Sequence, residues 1–274
     1  MKTNTIRNTT PGRKISVGLA WAGLALLATT AAASAAMTTL WTENFNSNPV
    51  TPAGAWTQSN ASGKNAFAWS SANSNLAWQN EYDTSSNFSR AAGVTLTDAT
   101  GFSYSLKLAD SSQYIGWSWY GEMDAGLSKA GGSDSVRVRI VGTDYYPWAG
   151  TNYPGAYLFT PQVITSAALT LNGAGLKIGD ISHTYSLDVT YQAAIRNLYF
   201  TLTDVTTATT IGTSTVTLGA GDHFSLDTFA LANVYSGGGN MYMKADDITL
   251  AVPEPAALSL LGLGLLALGG RRRR

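Results

Sequence analysis

Glu122 and Asp124 are the residues of this chain whose type and spacing point to a definite chemistry. They stand two positions apart, and side chains two apart on a strand share a face, so both carboxylates fall on the same side. They follow the aromatic run Tyr114-Ile115-Gly116-Trp117-Ser118-Trp119-Tyr120. Two carboxyl groups beside aromatic rings are what cleavage of a glycosidic bond requires, one as nucleophile and one as acid. The competing reading is two solvated acids at a strand end, ahead of a glycine-bearing loop.

Aromatic residues form a second group. Asp144-Tyr145-Tyr146-Pro147-Trp148-Ala149-Gly150-Thr151-Asn152-Tyr153-Pro154 holds four aromatics and two prolines in loop-like sequence, and Tyr157 follows. Tyr145, Tyr146, Trp148 and Tyr153 offer flat apolar faces with polar tips, suited to the C–H faces of sugar rings. Trp56, Trp69, Trp78, Trp117 and Trp119 fit core positions of a sheet equally well. A third group is Glu43 near the start of the body with Asp246 and Asp247 near its end. If the two end strands pair, these hard oxygen ligands would approach one another and suit a structural Ca²⁺; the competing reading is a set of exposed edge charges that discourages sheet-to-sheet aggregation. His183 and His223 lack a Cys partner and metal-ligand spacing, and read as ordinary strand residues. The sequence holds no phosphate loop and no nucleophile elbow.

The elements that must position these residues read as strands throughout. Phe102–Leu108, Val136–Ile140 and His183–Val189 alternate apolar and polar residues with period two, giving each one greasy and one wet face. Further strands are expected at Tyr114–Tyr120, Asn197–Thr203, Thr209–Leu218, His223–Phe229 and Met241–Leu250, separated by Gly, Asn, Asp and Ser. Residues 44–87, rich in Ser, Asn, Ala and Trp, are expected to give edge strands and long loops. Many short half-wet strands predict an all-β fold, two antiparallel sheets packed face to face.

Both chain ends differ from this body. Lys2, Arg7, Arg13 and Lys14 precede an uncharged stretch from Ile15 to Ala28, and small residues ending in Ala33-Ser34-Ala35-Ala36 follow, which is the layout of a secretory signal peptide cut near Ala35 or Ala36 by signal peptidase. At the other end Val252-Pro253-Glu254-Pro255 precedes an uncharged run from Ala256 to Gly270 and then Arg271 to Arg274. As a helix that run is about 22 Å long at roughly 1.5 Å per residue. The hydrocarbon core of a bilayer is ~30 Å thick. The arginine cluster holds its end in the cytoplasm, so the body lies across the membrane. The expected organisation is residues 1–36 as signal peptide, 37–251 as one β-sandwich domain and 252–274 as a C-terminal tag.

Between Met37 and Ala251 stand nine basic and sixteen acidic residues, a net charge of −7. Such a body lacks the basic face that nucleic acids require. There is no cysteine, so an exported domain of roughly 215 residues must rely on its core.

The order Pro-Glu-Pro, apolar run and arginine cluster resembles the PEP C-terminal sorting signal of Gram-negative, exopolysaccharide-making bacteria. That resemblance implies recognition at Val252, Pro253, Glu254 and Pro255 by an exosortase, a membrane enzyme that cuts at or near the motif, and delivery to the cell surface or extracellular matrix. Exopolysaccharide is then an expected partner. Leu40-Trp41-Thr42-Glu43-Asn44-Phe45-Asn46 and Lys244-Ala245-Asp246-Asp247-Ile248-Thr249-Leu250 resemble the first and last strands of concanavalin-like and carbohydrate-binding-module jelly rolls, which implies a jelly-roll sandwich whose terminal strands pair. Glu122-Met123-Asp124 is similar to the opening of the Glu-x-Asp-x-x-Glu motif of family 16 glycoside hydrolases. Its closing glutamate should fall near Gly126 or Leu127, but the chain reads Ala125-Gly126-Leu127-Ser128-Lys129, which leaves proton delivery to the leaving sugar without an agent.

Overall fold

Period-two alternation places half of each strand's side chains on a face that water must not touch, and the structure closes two such faces on each other. The computed structural model describes residues 36–50, 55–59, 67–81, 86–110, 122–143, 156–178, 183–234 and 240–254. Along the chain the strands are β1 (Met37–Glu43), β2 (Trp56–Ser59), β3 (Phe67–Ser70), β4 (Asn75–Glu81), β5 (Asn87–Thr97), β6 (Phe102–Asp110), β7 (Glu122–Ser128) and β8 (Ser135–Thr143). They continue as β9 (Ala156–Ile164), β10 (Thr170–Asn172), β11 (Leu176–Ile178), β12 (Thr184–Gln192), β13 (Asn197–Asp204), β14 (Thr209–Thr217), β15 (Ser225–Val234) and β16 (Asn240–Pro253). Among the described residues no helix is long and apolar enough to cross a membrane. The apolar run after Pro255, the signal segment and the expected strand Tyr114–Tyr120 lie outside the described residues.

One sheet runs β14-β13-β12-β6-β16-β4-β3, with β1 also on β16; the other runs β10-β9-β8-β7-β15-β5-β2, with β11 also on β9. Every pairing is antiparallel, for example Leu187 opposite Leu106 and Ala125 opposite Val138. Strand β16 takes two partners in tandem along one edge. Its first half pairs with β4 and its second half with β1, while β6 lies along the other side. The first and last strands of the body therefore pair, as the jelly-roll resemblance implies.

Between the sheets lie Tyr104, Leu106 and Leu108 of β6, Leu187 and Val189 of β12, Phe200 of β13, Val136, Val138 and Ile140 of β8, and Phe229 and Leu231 of β15, all buried. Burying side chains of this size contributes about 1.5–3 kcal/mol each relative to exposure. Aromatic rings gather around β1, β2 and β5, where Trp56 stacks on Phe88 with centroids 4.7 Å apart and meets Phe45 and Phe229. Polar ties also cross between the sheets. Trp78 Nε1 donates to Asn233 Oδ1 at 2.8 Å, and the Tyr104 hydroxyl donates to the Val136 carbonyl at 3.3 Å. Burial pushes the Tyr104 phenol far above its ordinary range, so it remains a donor.

The connections sort to two ends of the sandwich. Segments 82–85, 111–121, 144–155 and 235–239 join strands at the end marked by Glu122, Val234 and Asn87. Segments 98–101, 129–134, 193–196 and 218–224 join strands at the opposite end. Met37 stands opposite Pro253, and Ala251 opposite Ser103, so the body's first strand begins and its last strand finishes at that second end.

Candidate functional site

On β7 the side chains of Met123, Ala125 and Leu127 enter the core, which turns Glu122 and Asp124 to the outer face of their sheet, together as expected. The neighbouring β8 buries Val136, Val138 and Ile140 and turns Arg137 and Arg139 outward beside them. Asp124 is opposite Arg139 in register, and its carboxylate is clamped. Arg139 Nε donates to Oδ1 at 3.0 Å and Arg139 Nη2 to Oδ2 at 3.2 Å, while Arg137 Nη1 lies 2.8 Å from Oδ2. Arg139 Nη1 also reaches Glu122 Oε2 at 3.3 Å.

The Asp124 side chain is 5% exposed, so the reading of two solvated acids at a strand end is corrected. A carboxylate with so little access to water persists because two guanidiniums compensate its desolvation. The same contacts act on the arginines. The hydrogen bond to Asp124 raises the pKa of Arg139, while burial lowers that of Arg137 against the opposing pull of Asp124. Arg137 Nε and Gln162 Oε1, on residues opposite in register on β8 and β9, have no partner although buried, as does Ser135 Oγ on the same face. An unmade hydrogen bond at such atoms costs about 1–3 kcal/mol.

The closing acid of the glycosidase-like motif has no place in this arrangement. Leu127, where the closing glutamate of the six-residue motif would fall, is fully buried in the core. A Cβ at Gly126 would lie 2.7 Å from Arg137 Cα and 2.8 Å from the Tyr104 hydroxyl, and against the Val136 carbonyl, so no acid side chain fits there. What the face offers is two forked donors and two carboxylates of balancing charge. The arginines were absent from the sequence-predicted site. The turn at Gly131 and Gly132 joins β7 to β8, and counting outward from the pair Ser128 and Ser135 would have set Arg139 against Asp124.

Tyr145, Tyr146, Trp148 and Tyr153 lie outside the described residues. Their segment joins Thr143 of β8 to Ala156 of β9, at the end of the sheet where Glu122 is opposite Val141. Tyr157 is buried, as are Trp56 and Trp78, and Trp69 is half-buried against the core.

Pairing of β1 with β16 sets Glu43 opposite Ile248, next in line to Asp247. Protein donors already occupy Glu43. Oε1 accepts from the Phe45 amide and Oε2 from Trp56 Nε1, both at 2.9 Å, and Arg90 Nη1 lies 3.5 Å from Oε2. Asp247 Oδ2 accepts from Lys107 Nζ at 2.6 Å, and Asp246 Oδ1 accepts from the Asp247 amide at 2.8 Å. Burial raises the pKa of Asp246, with the charges of Asp247 and Glu43 adding to it. Among the described residues no three His, Cys, Asp or Glu converge as a metal site would require. Asp247 adopts a left-handed backbone (φ 46°) at a bulge where β16 slips one residue against β6.

Both histidines flank strands rather than sit in them, and each meets an aspartate. His183 Nδ1 is 2.7 Å from Asp204 Oδ2, and His223 Nδ1 is 2.9 Å from Asp98 Oδ2.

The tag enters the fold. Val252 and Pro253 belong to β16, opposite Thr38 and Met37, because a strand edge is still available there. Glu254 is exposed and Pro255 lies outside the described residues.

Residues 251–274 match the PEP-CTERM protein-sorting motif, which marks an exported protein processed by exosortase. No curated protein matches the chain. Among solved structures, the CBM2 module of the evolved Dit of Lactobacillus casei BL23 phage J-1 superposes with a TM-score of 0.55 at 13% identity, covering 80% of this chain and 97% of that one. The winged bean acidic lectin complexed with methyl-α-D-galactose superposes with a TM-score of 0.53 at 6% identity, covering 80% of this chain and 99% of that one. At these identities the likeness establishes the fold, a lectin-like and carbohydrate-binding-module-like β-sandwich.

Proposed function

We propose that this exported protein, sorted through its C-terminal motif to the cell surface or matrix of a Gram-negative bacterium, binds a neutral glycan or exopolysaccharide without cleaving it. The contact surface is the outer face of β7, β8 and β9, extended by Tyr145, Tyr146, Trp148 and Tyr153 of the adjoining connection. The observation that carries this reading is the pair of unsatisfied atoms, Arg137 Nε and Gln162 Oε1, on a face whose charges otherwise cancel. The two residues are partly exposed and opposite in register, so a small side-chain rotation would turn this donor and this acceptor to a sugar hydroxyl, which gives one hydrogen bond and takes another. The net charge of −7 over residues 37–251 disfavours polyanions. Catalysis is disfavoured because Asp124 is committed to two arginines and no further carboxyl fits at Gly126 or Leu127. The fold likeness to a carbohydrate-binding module and a galactoside-bound lectin accords with the reading.

The test is retention of the exported protein on immobilised neutral polysaccharides, with reducing ends assayed in parallel. Arg137→Ala leaves Asp124 its bonds from Arg139, yet should lower affinity roughly tenfold, the equivalent of one charged hydrogen bond of about 1.5 kcal/mol. Trp148→Ala should weaken retention independently. Retention unchanged in both variants would leave a structural matrix protein as the better account. Reducing ends released by the parent and lost in Glu122→Gln would make it a glycosidase.

A further inference from the structure

Strand β14 closes its sheet at one edge, pairing with β13 alone. From Gly212 to Thr217 that ladder is unbroken, and its one register shift lies at Ile211. Along an antiparallel edge, every second residue turns its N–H and C=O away from the neighbour. At β14 those groups meet no backbone partner among the described residues. The connection from β10 to β11 approaches from within. A Cβ at Gly173 would lie 2.5 Å from Ser214 Oγ and 3.2 Å from Val216 Cγ2, both on buried side chains. On the other face Thr213, Thr215 and Thr217 are exposed, as are Thr209, Thr210 and Ile211 at the start of the strand.

An open edge invites pairing, and proteins guard against it with charge, proline, bulges or brevity. The other edges of the two sheets carry such guards. β2 and β3 have four residues each, and β10 and β11 have three. β1 bulges at Leu40 and carries Glu43, and β5 loses register between Ala91 and Leu96. β14 runs for nine residues as Thr-Thr-Ile-Gly-Thr-Ser-Thr-Val-Thr, with no proline and with β-branched side chains at most positions. No residue between Asp204 and Asp222 carries a charge. In a body of net charge −7, this stretch is where two copies can meet without repulsion.

We propose that β14 pairs antiparallel with β14 of a second copy, joining two eight-stranded sheets into one continuous sheet. A strand paired antiparallel with itself generates a two-fold axis perpendicular to the sheet. Each molecule then offers the same surface that it receives, and the assembly closes at two. That axis keeps the second sheet of both copies on one side. Its bearing on function rests on the glycan reading above: the two outer faces of β7, β8 and β9 point the same way, and a polysaccharide long enough to reach both is held by both.

Sedimentation of the exported protein over a range of concentrations reads the assembly directly. A mass of two chains is expected. It should fall to one chain in the double variant Thr213→Lys with Thr215→Lys, which sets like charges across the joint from exposed positions and leaves the melt unchanged. A parent of single-chain mass at every concentration overturns the proposal, and so does a dimer that the lysines leave intact. Because the chain has no cysteine, Thr213→Cys, Thr215→Cys and Thr217→Cys, oxidised singly and in mixtures, map the joint. Opposed Cα atoms about 4.5–5.5 Å apart lie within disulfide reach. Antiparallel pairing requires every linked pair of positions to share one sum of residue numbers. Links that share one difference instead, or a dimer with no link, overturn it. Polysaccharide retention separates this pairing from the glycan reading. The lysine variant should lose retention on long chains while keeping the parent's affinity for a short oligosaccharide. A dimer that binds neither refutes the glycan reading and leaves the pairing standing.

Discussion

Asp98 joins three loops at the end of the sandwich where β1 starts and β16 stops. Its Oδ2 meets Arg196 Nη1 and His223 Nδ1, each at 2.9 Å, and its carbonyl accepts from the Tyr191 hydroxyl at 2.7 Å. Burial alone would raise its pKa, but the hydrogen bonds from His223 and Arg196 outweigh it and hold the carboxyl below its ordinary value. A depressed carboxylate pKa contributes stability above the ordinary value, and that contribution is lost as pH falls through the folded one. Asp98→Asn should therefore lower stability by about 1–3 kcal/mol at neutral pH. Melts of parent and variant should converge as pH drops below about 4; an equal gap at every pH would show that the effect is steric. The sequence placed Glu122 and Asp124 on one face by strand alternation alone. It did not reveal their neutralisation, because that depends on which strand lies alongside. At Gly126, Ala should cost about 1–3 kcal/mol, since the added methyl meets the Val136 carbonyl and the Tyr104 hydroxyl. A melt unchanged by Gly126→Ala would mean that β7 and β8 can part slightly without cost.

Among the strands, those legible in the sequence share one property, a single wet face. β6, β12 and β13 alternate buried and solvated residues without interruption, and their starts fall within a residue of expectation. β9 was missed because Pro161 sits within it, and a proline normally argues against a paired strand. The structure accommodates it where β10 ends and β11 has not begun, so the outer neighbour of β9 is interrupted at that residue. β7 was missed for another reason: Ala125 and Gly126 lie in its middle, and neither reads as a strand former. β16 ran past its expected end because β1 offers it a partner as far as Pro253. A Cβ at Gly101 would sit 2.9 Å from Pro253 Cγ. Gly101→Val should therefore strain that junction and lower the melting temperature, and hydrogen exchange should speed at Thr38 and Val252, while the core of β12 and β13 stays protected. Uniform protection would dismiss the contact between Gly101 and Pro253. The calcium expected of Glu43, Asp246 and Asp247 belongs at this scale too. With Glu43 and Asp247 already engaged by protein donors, melts in Ca²⁺ and in EDTA should coincide. Specific binding at a hundredfold excess over Kd would separate them by about 2.7 kcal/mol.

For the molecule as a whole, the sequence disclosed the sandwich but not the strand order, since sheet neighbours such as β6 and β16 are far apart in the chain and no local pattern records them. One consequence of that order concerns connectivity. Met37 and Pro253 face each other across an antiparallel rung, a separation of about 5 Å between Cα atoms. The sandwich is therefore nearly a closed ring of chain, and its break can be moved. A circular permutant with a short glycine-serine bridge from Pro253 to Met37, opened between Thr207 and Ala208 in the exposed turn after β13, keeps every sheet pairing described above. It should fold with the parent's β-sheet circular dichroism and a similar cooperative melt. Because that turn lies at the opposite end of the sandwich, a sorting tail grafted there would invert the end that the anchored protein presents outward. Loss of polysaccharide retention by the anchored permutant, with retention intact once it is released, would show that the direction in which the domain points governs what it can reach.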